Sequence, residues 1–582
     1  MNFVAPLLYA VASSVLLATT LAIVRGSLDG ASAAISLAAG ALVGAWSWWR
    51  QRRESFRDVP PSGWEWIAIV VFALASARAF LWLVFVDGNA IKVLSPNNLG
   101  DLSLHLTYIR YLADGAEFWP DNPIFTFGKL TYPVGIDVFN ALLTIAGVDP
   151  LRGLIWVGVA GAVVTGFALW RWGRGIALAA FLGNGGLAGF EVLTTWRLVD
   201  FQTQLAWKSI FLALFVTQRG LLFALPAGLL LLASWRSRFL GEDRGKLPRW
   251  GEVLLYASLP LFHLHTFIFL SLMFAAWFVL YAPTRRGLVQ LVGAAFLPAS
   301  ALVLLVTGMF GGASVLGLKP GWMWDDMTWV QWCEDHLPGS PELNAMVLFW
   351  PINFGFVLPL VGWLAWRLWK DPRAEWPRAL VGPSLFIFML CVFVKFAPWE
   401  WDNTKLMIWS YLAIVPLAWQ EMLAARPVWQ RAVAAVAVFG SGILSLCGGL
   451  DGSHTGFDLA LRSELDGVAK AIETIPVSER FVGYPTYNHP VLLSGRKMAL
   501  GYTGHAWSHG LNWAGPAALV DKVMNGDPGW REAAKELHAR YLFWGNEERE
   551  HYKASTEPWK DSADLVAEGD WGEIYDLAHP ER

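Results

Sequence analysis

Asp101, His105 and Tyr108 are the residues whose types and spacing point most directly to chemistry in this chain. They recur at i, i+4 and i+7, so on a helix a carboxylate, an imidazole and a phenol share one face. A carboxylate held within hydrogen-bond reach of a hydroxyl accepts its proton. His105, one turn on, would orient that carboxylate or join it in holding a divalent cation. Leu102, Leu106, Ile109 and Leu112 form an apolar stripe on the opposite face. The same spacing also suits a plainer role for Asp101, as an N-cap after Gly100.

The elements that must position these groups are mostly membrane spans. Of 582 residues, 55% are hydrophobic and only 16% charged, too apolar a balance for a soluble globular chain. A net charge of −3 gives no basic footprint, so no nucleic-acid partner is expected. Cys333, Cys391 and Cys447 are odd in number and far apart, which fits neither a disulfide framework nor a zinc site. The 35 tryptophans suit interfacial belts at span ends, with a remainder in loops.

Apolar runs of spanning length lie at 5–24, 30–49, 64–86, 154–172, 176–196, 220–233, 252–281, 288–309, 343–369, 379–394, 406–419 and 432–447. Basic clusters separate them: Arg50, Arg52, Arg53 and Arg57; Arg171 and Arg174; Arg236, Arg238, Arg244, Lys246 and Arg249; Arg285 and Arg286; Arg367, Lys370, Arg373 and Arg378; Arg426 and Arg431. All fall on one side if 252–281 crosses twice, as a hairpin with His263 and His265 at its outer turn. That gives an all-α polytopic membrane domain of about 13 transmembrane helices, with a cytoplasmic N-terminus. Residues 1–62 supply two extra spans, 63–448 the membrane core with long external loops, and 449–582 a small external α/β domain, where charge rises and spanning runs stop. In that tail, strands are expected at 480–484, 490–493, 497–502, 540–544 and 572–577, and helices at 458–475, 515–524 and 529–538.

The polar residues outside the basic clusters gather in the external segments. Lys405 opens a span on the outer side, where the positive-inside trend does not explain it, and follows Glu400 and Asp402 in a Trp-rich turn. A cation there can hold a lipid phosphate. Arg219 opens another outer span, either as a phosphate clamp or as a snorkelling anchor. Tyr132-Pro-Val-Gly135 reads as a turn into an interfacial helix, placing its loop over a groove. Arg78 sits inside the third run, where it would act in function or pair with Glu191. His263 and His265 are candidate ligand contacts or plain hairpin-tip residues. In the tail, Arg496, His505 and His509 would meet a substrate from above.

The order of these motifs resembles the GT-C superfamily of integral-membrane glycosyltransferases, which take sugars from polyprenyl-phosphate carriers. It runs from Asp101 and His105 in the first external loop through Tyr132-Pro-Val-Gly135, Asn184-Gly-Gly186, Gln218-Arg219-Gly220, His263-Leu-His265 and Trp350-Pro-Ile-Asn-Phe354 to Trp401-Asp-Asn-Thr-Lys405. The resemblance implies an outer active site in the cytoplasmic (inner) membrane. Asp101 would be the base for an acceptor hydroxyl, on a glycan, lipid or protein, and Arg219 or Lys405 would hold the carrier phosphate. Leu102 follows Asp101 where many relatives carry a second acid, so metal ligands are left unassigned. Two other classes compete: a transporter or flippase, for which no internal repeat is found, and a non-catalytic envelope-assembly protein of the same descent.

Overall fold

The computed structural model describes residues 4–51, 60–203, 205–241, 245–308, 316–371, 374–453 and 455–578. Arg52, Arg53, Arg57, Arg244 and Arg373 of the basic clusters lie outside the described residues. Among those described, seven helices are long and apolar enough to cross a membrane, or eight if one bent pair counts as a span. The chain is an integral membrane protein. Its outward-facing apolar side chains, such as Leu42 at 71% and Leu297 at 77% exposed, suit acyl chains rather than water.

Helices α1 (Val4–Arg25) and α2 (Gly30–Gln51) pack tightly because α2 presents Ser32, Ser36, Gly40 and Gly44 every fourth residue. A side chain at Gly40 would collide with Ser14 and the Ala10 carbonyl. Small residues at this spacing let two apolar helices approach and gain van der Waals contact. After α3 (Gly63–Leu81), strands β1 (Val84–Asp87) and β2 (Ala90–Val93) form a hairpin that leads into α4 (Asn98–Ala113). Helix α5 (Gly135–Ile145) follows. Arg78 lies in the last turn of α3, donates to the Leu450 carbonyl and stacks on Trp82. Its expected partner Glu191 is not the group it reaches.

Helix α6 (Pro150–Leu182) reverses at Gly173 and Arg174, where the backbone leaves helical geometry. Phe72 therefore packs against Phe181 on the returning limb, while Glu65 pairs with Arg174 at the tip. The run expected to span 176–196 is continuous helix only to Leu182; residues 183–186 break it, and only short helical turns at Ala188–Glu191 and Val192–Thr195 follow. Next come α7 (Leu221–Phe239), α8 (Arg249–Phe262) and α9 (Leu264–Leu280). Tyr256 and Ser271 meet at 2.8 Å across the His263 break, so α8 and α9 form the expected hairpin. Helix α10 (Ala282–Val306) packs beside α8.

The run expected as one span at 343–369 is two helices, α11 (Pro341–Phe354) and α12 (Val357–Lys370), bent by 88°. Gly355 makes the corner at φ +50 and packs 3.1 Å from the Gly186 backbone, measured from the Cβ it lacks. Leu187 N–H donates to the Ile352 carbonyl at 2.9 Å, so the two glycine-broken motifs lock together. The last membrane helices are α13 (Glu375–Phe393), α14 (Thr404–Met422) and α15 (Val428–Gly449).

One end of the bundle collects the basic residues. Arg236 lies over the rings of Trp172 and Trp376, Arg238 pairs with Glu252, and Arg50 lies over Trp46, which packs against Trp250. At the other end the tail folds onto the first long loop. Strand β3 (Phe457–Leu461) joins the β1–β2 hairpin, where a helix start was expected. Helix α16 (Arg462–Ala471) follows. Strands β4 (Arg480–Val482), β5 (Lys497–Met498), β6 (Tyr541–Gly545), β7 (Asp564–Gly569) and β8 (Gly572–Asp576) form a mixed sheet in the order β5-β4-β6-β8-β7. The segment Pro490–Leu493, expected as a strand, is a helical turn: proline suits its first position and the His489 ring accepts from Val491 N–H. The tail is knitted to the core, with Lys497 paired to Asp121 and Gly501 N–H donating to the Ile124 carbonyl.

Candidate functional site

Helix α4 is buried on nearly every side, including Leu102, Leu106, Ile109 and Leu112 and also His105, Thr107 and Tyr108 on the opposing face. Asp101, in its first turn, is half-buried. Gln218 Nε2 lies 3.5 Å from both of its carboxylate oxygens. Burial pushes the Asp101 carboxyl above the usual aspartate range; His105 and Lys405 pull it back, and Asp402 adds to the rise. These charged groups come from helices more than 300 residues apart in sequence, which the fold brings to one place.

His105 points away from any surface. Its Nδ1 lies 2.8 Å from Asp137 Oδ1, and both side chains are 1% exposed. Burial raises the Asp137 carboxyl, while His105 and Arg219 draw it down. Tyr132 packs its ring 6.0 Å from His105, 5.5 Å from Tyr108 and 5.2 Å from His509, so the Tyr132 turn forms one wall of the site.

Lys405 and Asp402 pair at 2.9 Å at the start of α14. Asn403, fully buried between them, fixes the turn: it accepts from Phe396 N–H and donates to the Cys391 and Val394 carbonyls. Electrostatically, His265 faces Lys405 and Asp402. His263 has an extended backbone and caps α9 by accepting from Thr266 N–H. The two rings stand 5.6 Å apart. The tail roofs the group. His505 Nε2 comes within 3.1 Å of where a Cβ on Gly100 would stand, and the His505 and His509 rings lie 6.4 Å apart. Burial holds both neutral, pushing His505 down to about 3 and His509 to about 4.

Three expected contacts lie elsewhere. Arg219 is 1% exposed, donates to the Leu154 carbonyl and faces Asp137, so it is an internal counter-charge and not a clamp on a lipid phosphate. Arg496 is tied to Asp114 at 2.6 Å and to the Ile472 and Ile475 carbonyls, which leaves it no face for substrate. Glu400 is taken up by Lys319, with which it pairs at 2.8 Å.

Gln218, Asp137 and Lys208 are the residues that sequence reasoning did not assign to the site. Lys208 is half-buried, with its ammonium 5.5 Å from the Trp401 ring and its backbone carbonyl held by Asn184. Nothing in the spacing marks it, because Trp401 and Asn184 come from distant segments. Among the described residues, no three His, Cys, Asp or Glu side chains converge as a metal site. What the arrangement offers is the Asp101 carboxylate, the Lys405–Asp402 pair beside it and neutral imidazoles, suited to accepting a proton beside a bound anion.

No family model matches the chain, and no curated protein does. Among solved structures it is similar to the oligosaccharyltransferase of Archaeoglobus fulgidus. The apo form gives 13% identity and a TM-score of 0.46, over 83% of this chain and 69% of that one. The same enzyme tethered to an acceptor peptide gives 12% and 0.44, over 89% and 74%. The archaeal oligosaccharyltransferase AglB with an inhibitory peptide and a dolichol-phosphate gives 12% and 0.41, over 84% and 70%.

Proposed function

We propose that this protein is a GT-C-like membrane glycosyltransferase that moves a sugar from a polyprenyl-phosphate carrier to an acceptor hydroxyl. The observation that carries this reading is the meeting of Asp101, Gln218 and the Lys405–Asp402 pair at the end of the bundle opposite the basic residues. In that reading the membrane core makes about thirteen crossings, with the basic end in the cytoplasm and the site and tail outside the inner membrane.

The chemistry follows from the groups present. Asp101 accepts the proton of the acceptor hydroxyl as its oxygen attacks the sugar's first carbon. The bond from that carbon to the phosphate oxygen breaks, and the carrier phosphate leaves with the electron pair. Lys405, with Lys208 beside Trp401, stabilises the departing charge. Gln218 orients the Asp101 carboxylate, and the neutral His505 and His509 are placed to hydrogen-bond sugar hydroxyls. A single displacement of this kind inverts the sugar.

Asp101→Asn tests the assignment in purified protein supplied with polyprenyl-phosphate sugars. The expected outcome is a loss of transfer of about 10²–10⁴-fold with donor binding and melting temperature kept. Undiminished transfer removes Asp101 as the base. Transport of the intact donor by wild type and variant alike would favour a flippase.

A further inference from the structure

At the basic end of the bundle, far from Asp101, a cavity of about 150 Å³ opens between α7, α8 and α10. Its rim carries Arg238 and Arg249. Arg238 is already committed: it donates to the buried Glu252 carboxylate at 3.1 Å and to the Leu247 carbonyl at 2.8 Å. Glu252, which also accepts from Ser234, neutralises it. Among the described residues, the rim cation that makes no direct ion pair is Arg249, an exposed side chain that donates to Gln290 at 2.6 Å. Glu252 is the one acid lining the cavity among the described residues.

The cavity is polar only at this rim. Trp250 flanks it and packs against Trp46, which carries Arg50 on its face, as aromatic and cationic groups do at a membrane interface. The rest of the lining is apolar, with Leu291 buried, Val253 half-buried and Ala294 at the exposed side. They continue onto the outer face of α10, where Phe296 is 60% and Leu297 77% exposed. A site with a cationic rim, an interfacial tryptophan and an apolar floor opening sideways onto the bilayer complements an amphiphile with an anionic head. The volume admits a phosphate group and no whole lipid, so the chains must lie along α10.

We propose that this cavity binds the phosphate head group of an anionic phospholipid, held by Arg249 and Gln290 with its acyl chains against Leu291 and Ala294. The site is separate from sugar transfer and does not depend on that reading.

Native mass spectrometry of the full-length protein, titrated with phosphatidylglycerol or phosphatidylcholine, tests it. Retained phosphatidylglycerol adducts are expected, with phosphatidylcholine lost. Arg249→Gln should weaken phosphatidylglycerol retention roughly fivefold, the share of one basic side chain near an anionic surface. Ala294→Phe keeps every charge and fills the apolar floor; it should lower retention too, and it decides the matter if Arg249→Gln does not fold. Equal retention of both lipids, or wild-type retention by the variants, overturns the proposal. Displacement of the lipid by millimolar inorganic phosphate would mark a free-anion site and overturns it equally.

Discussion

His105 Nδ1 and Asp137 Oδ1 lie 2.8 Å apart inside the protein, each side chain 1% exposed, with Arg219 as the nearby cation. The pair braces α4, which carries Asp101, against α5. Neither partner can be removed without leaving the other polar and buried. Asp137→Ala should therefore cost about 3–5 kcal/mol, and Asp137→Asn, which retains an acceptor for the ring, should cost less. Thermal unfolding in detergent measures both; an equal loss for the two variants would show that the bond to His105 is not what matters.

The pH dependence of transfer reports on Asp101. Its carboxylate form is the base, and burial has raised its pKa. Activity should therefore fall with decreasing pH at a point above the ordinary aspartate value of about 3.9. Burial holds His505 and His509 down, at about 3 and about 4, so both rings are neutral at neutral pH. Lys405→Met removes a charge that favours the carboxylate, so the acid limb of kcat/KM should move to higher pH. A limb that moves to lower pH contradicts the placement of Lys405 beside Asp101.

Arg496 holds the tail to α4. Arg496→Ala removes the bond to Asp114 at the end of α4 and should weaken tail docking by about 1.5–3 kcal/mol. Limited proteolysis should then cut the tail sooner, with KM for the donor unchanged. A raised KM with unchanged proteolysis would return Arg496 to the substrate.

Gly355 turns the chain at φ +50 between α11 and α12. Gly355→Ala should cost about 1–3 kcal/mol, because a side chain is strained in that backbone conformation and meets Gly186. A melting temperature equal to wild type would show that the corner relaxes without the glycine.

The sequence by itself determined the membrane class, the runs that become α1, α2, α3 and α13, the gathering of basic residues at one end, and the hairpin broken at His263. These are local properties: hydropathy, helical period and charge are written within a window of twenty residues. The break at Gly355 was also present in the residues, but proline and glycine inside an apolar run mark a kink without its angle. Only the tertiary structure decided that His105 pairs with Asp137, 32 residues away, that Arg219 turns inward to them, and that Arg496 closes on Asp114. Buried charges take whichever partners the packing brings within a few ångströms, because an unpaired charge away from water costs more than any local preference can repay. That choice is made between segments, and no spacing along the chain records it.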